Sequence, residues 1–106
     1  MSGSPASSPD SDDRSARRAR VVFVARVRDR GTLFNIDIVD LSQTGFKGET
    51  IYNIQPGARV TIALPGLSPV EATIAWRDHA HIGGRFANPL YEAVYDHIVA
   101  VSRCDR

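Results

Sequence analysis

From Arg20 onward, apolar residues recur at every second position, and each run is closed by a cluster of turn-forming residues. In the first run Val21, Phe23, Ala25 and Val27 point one way and Val22, Val24 and Arg26 the other, as in a strand with one buried face. Asp29-Arg30-Gly31 then reads as a hairpin turn, and Thr32 to Val39 as a second strand with Phe34, Ile36 and Ile38 on one side. A bend follows at Asp40 to Gly45, and Gly45 to Thr50 starts a third strand. Gln55-Pro56-Gly57 has Pro and Gly where a type II turn favours them. Arg59 to Leu64 predicts a fourth strand with Val60, Ile62 and Leu64 inward, ended by Pro65-Gly66-Leu67-Ser68-Pro69. Val70, Ala72, Ile74 and Trp76 alternate along a fifth, which assigns Trp76 to the core. His81 to Ala87, after a turn at Arg77 to Ala80, predicts a sixth with Ile82, Gly84 and Phe86 on one side.

The period then changes. Asn88 suits a helix N-cap and Pro89 the first helical position. Leu90, Val94, Ile98 and Val101 form one apolar stripe at helical spacing, predicting a helix over about 89–102. The predicted fold is all-β with one C-terminal helix, a small six-stranded antiparallel β-barrel plugged or flanked by that helix. An OB-type or SH3-like barrel would give the same string of elements, and periodicity does not separate them. There is no internal repeat.

A chain of 106 residues supports a single domain, here expected over 14–106. Residues 1–13 are mostly Ser, Pro, Gly and Asp, the composition of a disordered tail. No apolar run is long enough to span a membrane. The first residues lack the basic and apolar regions of a secretory signal, so a cytoplasmic location is expected. Cys104 has no second cysteine to pair with and no metal-site spacing around it.

The net charge of +1 hides an uneven distribution: Arg14 to Arg30 holds seven arginines and a single acid, Asp29. Such a segment on a mildly acidic remainder points to a local anion site rather than a wholly basic nucleic-acid surface. Only one residue of the chain, Lys47, is a lysine. Guanidinium forks take phosphate oxygens and guanine edges in two-pronged fashion, which ammonium groups do not. The arginine bias is equally compatible with a GC-rich genome.

Two stretches carry candidate chemistry. One is the basic arm over 14–20, which contains Arg14-x-x-x-Arg18; the other is Asp40-Leu41-Ser42-Gln43-Thr44-Gly45. Taken alone, the second is a turn in which Asp and Ser bond nearby amides and Gly accepts positive φ, and the first is a solvated basic tail. Together, in this order and on a short all-β chain, R-x-x-x-R followed by D-x-S-x-x-G resembles the PilZ domain family over nearly the whole ordered chain.

The resemblance implies a barrel of the predicted kind and binding of the bacterial second messenger cyclic di-GMP. It implies that Arg14 and Arg18 clamp the nucleotide, that Asp40 and Ser42 bond guanine and phosphate from the barrel, and that Gly45 lets the backbone come close. Many family members carry a further arginine where this chain has Asp13. The dense run also offers registers in which Arg17 or Arg20 serves. Gly83-Gly84-Arg85-Phe86 matches a Gly-x-x-Phe pattern of the family, and Arg85 is a further candidate for the ligand face.

Other motifs read as structural. Asp78-His79-Ala80-His81 lacks a third committed ligand and reads as surface polar sequence, so no metal is expected. Gly83-Gly84 lies within a strand and precedes no helix, unlike a phosphate loop. Ser42 has no local nucleophile signature, and no carboxylate pair stands out, so no enzyme and no cofactor are expected. Three functions compete. The first is a cyclic di-GMP receptor whose arginine arm closes over the nucleotide and alters a contact with an unidentified downstream protein. The second is a nucleotide-independent adaptor that binds a protein partner. The third, a nucleic-acid-binding barrel, is opposed by the absence of an exposed aromatic ladder for base stacking.

Overall fold

A computed structural model of the chain describes residues 18–102. Arg14, Arg17 and the tail over 1–13 lie outside the described residues, as does Cys104. Six strands, β1 (Arg18–Asp29), β2 (Thr32–Ser42), β3 (Gly45–Glu49), β4 (Arg59–Ala63), β5 (Val70–Asp78) and β6 (His81–Phe86), precede one helix, α1 (Glu92–Ser102). All pairings are antiparallel, and the strands close into a barrel in the order β1-β2-β3-β6-β5-β4, with β4 returning to β1 through Arg26 to Arg28. The expected six-stranded barrel with a C-terminal helix is the fold observed.

Local chemistry accounts for most of the corners. Arg30 and Gly31 both take positive φ, 54° and 89°, as a two-residue hairpin loop with the twist of its strands requires. Gly57 sits at φ 93°, and Ala58 N–H donates to the Gln55 carbonyl at 3.2 Å, closing the turn predicted there. The interior is aliphatic. Ile36, Ile38, Leu41, Ile62, Ile74 and Ile82 are at most 1% exposed, and α1 contributes Ile98 to the same core.

Four expectations change. The first concerns Asp40 to Gly45, which is not one bend: β2 continues through Ser42, and only Gln43 and Thr44 turn the chain. Strand pairing on both sides holds this segment extended, with Arg20 opposite Asp40 and Arg18 opposite Ser42 on β1, and Lys47 opposite Asp40 on β3. The second concerns the helix, which begins at Glu92, three residues beyond Pro89. Leu90 is held by Gln43 instead: its N–H donates to the Gln43 carbonyl at 2.8 Å, and Gln43 Nε2 donates to its carbonyl at 2.8 Å. The first helical bond runs from Tyr95 N–H to the Tyr91 carbonyl. In the third, the buried stripe is therefore Tyr95, Ile98 and Ser102, while Val101 is 60% exposed. In the fourth, Trp76 lies outside the core, for the reason given next.

Candidate ligand groove

Two β-bulges decide which side chains face out. If the alternation of Phe34, Ile36 and Ile38 ran on unchanged, Asp40 and Ser42 would follow into the core. Val39 is an extra residue against β3, since Ile38 pairs with Gly48 but Asp40 pairs with Lys47. The phase reverses there, so Leu41 points inward at 0% exposure while Asp40 and Ser42 take the opposite phase and line the groove, Asp40 half-buried and Ser42 buried. Ala75 does the same on β5, where Ile74 pairs with Gly84 and Trp76 with Gly83. Trp76 is thereby turned outward, 41% exposed. Arg77 takes the inward phase and donates from Nη1 to the carbonyls of Tyr52 at 2.8 Å and Ile54 at 3.3 Å.

The two reversed segments flank one groove of about 450 Å³ on the outer face of the sheet. Its residues fall into two rows set by strand register. Asp40, Lys47, Gly83 and Trp76 lie side by side on β2, β3, β6 and β5. One step along, Arg18 on β1 faces Ser42 at the end of β2, and Gly45 on β3 faces Arg85 on β6. All eight line the groove. Its ionisable side chains are three cations, Arg18, Lys47 and Arg85, and one carboxylate, Asp40, an excess of positive charge suited to an anionic ligand.

Of the six residues predicted for the site, the structure brings Arg18, Asp40, Ser42 and Gly45 together in this groove, while Arg14 and Arg17 fall outside the described residues. Arg18 and Arg20, expected in the basic arm, are residues of β1; Arg18 lines the groove, whereas Arg20, opposite Asp40, does not. Asp40 is half-buried and, among the described residues, neither ion-paired nor hydrogen-bonded through its side chain. It is an acceptor-only group with its acceptor sites open to the groove.

Ser42 is differently placed. Its Oγ accepts from the amides of Gly45 at 3.0 Å and Thr44 at 3.2 Å, and lies 3.3 Å from both Thr44 Oγ1 and the Gly45 carbonyl. The hydroxyl thus builds the turn while lining the groove. Gly45 is needed for a reason other than positive φ: a β-carbon there would overlap the Gly84 carbonyl oxygen on the adjacent strand. Gly83 and Gly84 are likewise not a phosphate loop. A β-carbon on Gly83 would overlap the Trp76 indole, and one on Gly84 would overlap the Phe46 ring.

Sequence reasoning missed Lys47 and assigned Trp76 to the interior. Lys47 carried a signal, being the sole lysine two residues beyond the second motif. Trp76 carried none, because a bulge appears only when two strands are paired. The histidines stay apart from the groove: His81 Nε2 meets Glu49 Oε2 at 3.1 Å, and His79 Nδ1 meets Asp78 Oδ1 at 2.9 Å, both exposed. Among the described residues no three His, Cys, Asp or Glu side chains gather as metal ligands, and no helix is long and apolar enough to cross a membrane.

The outer wall of the closed six-stranded barrel thus carries a cationic groove with one open carboxylate and one exposed indole. The chain matches the PilZ domain over residues 12–102 and belongs to that family. PilZ domains are receptor domains for cyclic di-GMP, and act as binding and adaptor modules rather than enzymes. A comparison with curated proteins finds no match.

Proposed function

We propose that this chain binds cyclic di-GMP in the groove between Arg18 and Trp76 and passes the signal to a downstream protein. The observation that carries the reading is the convergence of Arg18, Asp40 and Ser42, from two separate sequence motifs, on one cationic groove. Each part answers a part of the ligand. Guanine offers N1–H and N2–H₂ donors on one edge, which call for an acceptor, and Asp40 is an open acceptor; its O6 and N7 call for paired donors, which a guanidinium supplies. The two phosphates carry charge that the excess of cations neutralises. The indole of Trp76 offers a face for a base to stack on.

In this reading Arg14 and Arg17, immediately upstream of β1, complete the clamp with Arg18. Closure of this arm over the nucleotide changes the surface offered to a protein partner, and the setting is the bacterial cytoplasm. The barrel supplies binding and no catalysis.

The test is a calorimetric titration of cyclic di-GMP into the wild-type chain and into Arg18→Ala. Micromolar or tighter binding, weakened about tenfold or more by the substitution, a loss of at least about 1.4 kcal/mol, is the expected result. Binding that Arg18→Ala leaves unchanged keeps the receptor and moves the clamp to Arg14 and Arg17. No heat and no chemical-shift change at high ligand concentration sinks the receptor and leaves a nucleotide-independent adaptor.

A further inference from the structure

We infer that Arg85, which belongs to neither motif, is the phosphate contact of the groove's far wall, facing Arg18 across the ligand. The inference rests on the receptor reading and adds a residue to it from a third segment of the chain. Arg85 lies on β6 opposite Gly45, in the row that begins with Arg18 and Ser42. The strands between them are consecutive, β1, β2, β3 and β6, so the two arginines are separated by three strand spacings, roughly 14 Å between Cα atoms. Long side chains at the two ends of such a row can both bend over its middle. The middle holds Ser42 and Gly45, one small side chain and none, so nothing tall stands between them.

The guanidinium is uncommitted. Arg85 is exposed, and among the described residues no carboxylate lies within ion-pair distance of it. Its cross-strand neighbours on the outer face are Gly45 and Thr73, neither of them acidic. An arginine on a barrel wall is ordinarily a solvated charge. This one lines the groove and is not paired with the single acid there, Asp40, which lies two strands away in the other row, beside Lys47. The base edge calls for an acceptor, which Asp40 provides; an anionic oxygen calls for a donor without a competing acid beside it, which Arg85 provides. Phosphate, which carries the ligand's charge, is assigned as its complement, and guanine O6 and N7, which also take paired donors, are the alternative that the experiment separates.

The experiment measures cyclic di-GMP affinity by calorimetry for the wild-type chain, Arg85→Ala, Arg85→Lys and Arg59→Ala. Arg59 is an exposed arginine on β4 outside the groove and reports the effect of one lost positive charge at a distance. The expected result is a loss of about tenfold or more in Arg85→Ala, partly restored in Arg85→Lys, with Arg59→Ala close to wild type. The Arg85 Nε–Hε resonance of the wild-type chain is expected to shift on ligand addition. Arg85→Ala binding as tightly as Arg59→Ala overturns the assignment and leaves the receptor standing. Ligand ³¹P shifts on binding that are the same in Arg85→Ala as in the wild-type chain overturn the phosphate role, whereas Arg85→Lys reports charge alone, because an ammonium keeps attraction to phosphate but loses two-pronged recognition of phosphate and base alike. A wild-type chain that does not bind overturns both the assignment and the receptor reading.

Discussion

The indole of Trp76 lies on the backbone of Gly83, its partner on the neighbouring strand, so closely that a β-carbon at Gly83 would overlap Nε1. The ring has no room to keep its place beside any larger residue. Gly83→Ala is therefore expected to push the indole from its seat toward solvent, at a smaller stability cost than overpacking of a closed core because Trp76 is 41% exposed. Its effect on cyclic di-GMP affinity should match that of Trp76→Ala, roughly 1–3 kcal/mol if a base stacks there. Tryptophan emission, with one such residue in the chain, follows the displacement directly. Altered emission with unaltered affinity would remove Trp76 from the site.

Asp40 separates binding from folding. Its carboxylate has no hydrogen bond or ion pair among the described residues, so Asp40→Asn removes only its weak attraction to the cross-strand Arg20 and Lys47, and unfolding free energy should stay within about 0.5 kcal/mol of wild type. The amide keeps one acceptor oxygen but puts a donor in place of the other, where the guanine edge presents two donors, N1–H and N2–H₂. Affinity for cyclic di-GMP is expected to fall by about 1.5–3 kcal/mol, the range for hydrogen bonds to a charged group. Equal affinities would place the base elsewhere.

Gly45 is expected to matter before any ligand is added. A β-carbon there meets the Gly84 carbonyl oxygen, a backbone atom that cannot rotate aside, so β3 must shift from β6. Chemical denaturation of ligand-free Gly45→Ala should show about 1–3 kcal/mol of lost stability. Full stability combined with lost binding would mean that the glycine serves the ligand instead.

Gln43 joins the groove's turn to the start of the helix. Gln43→Ala leaves the backbone bond from Leu90 N–H in place but removes the Nε2 donor from the Leu90 carbonyl, beside a buried side chain. Leaving that carbonyl unpaired costs about 1–3 kcal/mol. Amide exchange in α1 is expected to quicken more than exchange in β5, three strands around the barrel from β2. Uniform quickening would show that the helix and barrel open as one unit.

What could be read along the chain was whatever depends on near neighbours. The six strands follow from period-two patterning, and the turns at Arg30-Gly31 and Gln55-Pro56-Gly57 from residues that accept or set particular φ values. Leu90 was misassigned to a helical stripe because its apolar side chain fits one; its backbone is captured by Gln43, 47 positions away in the chain. The direction in which Asp40, Ser42 and Trp76 face had no local signature. Val39 and Ala75 are ordinary strand residues until they are set against β3 and β6, where each is one too many. A single extra residue reverses every side chain beyond it, so the strands were legible from alternation, while the groove came into being only when they paired.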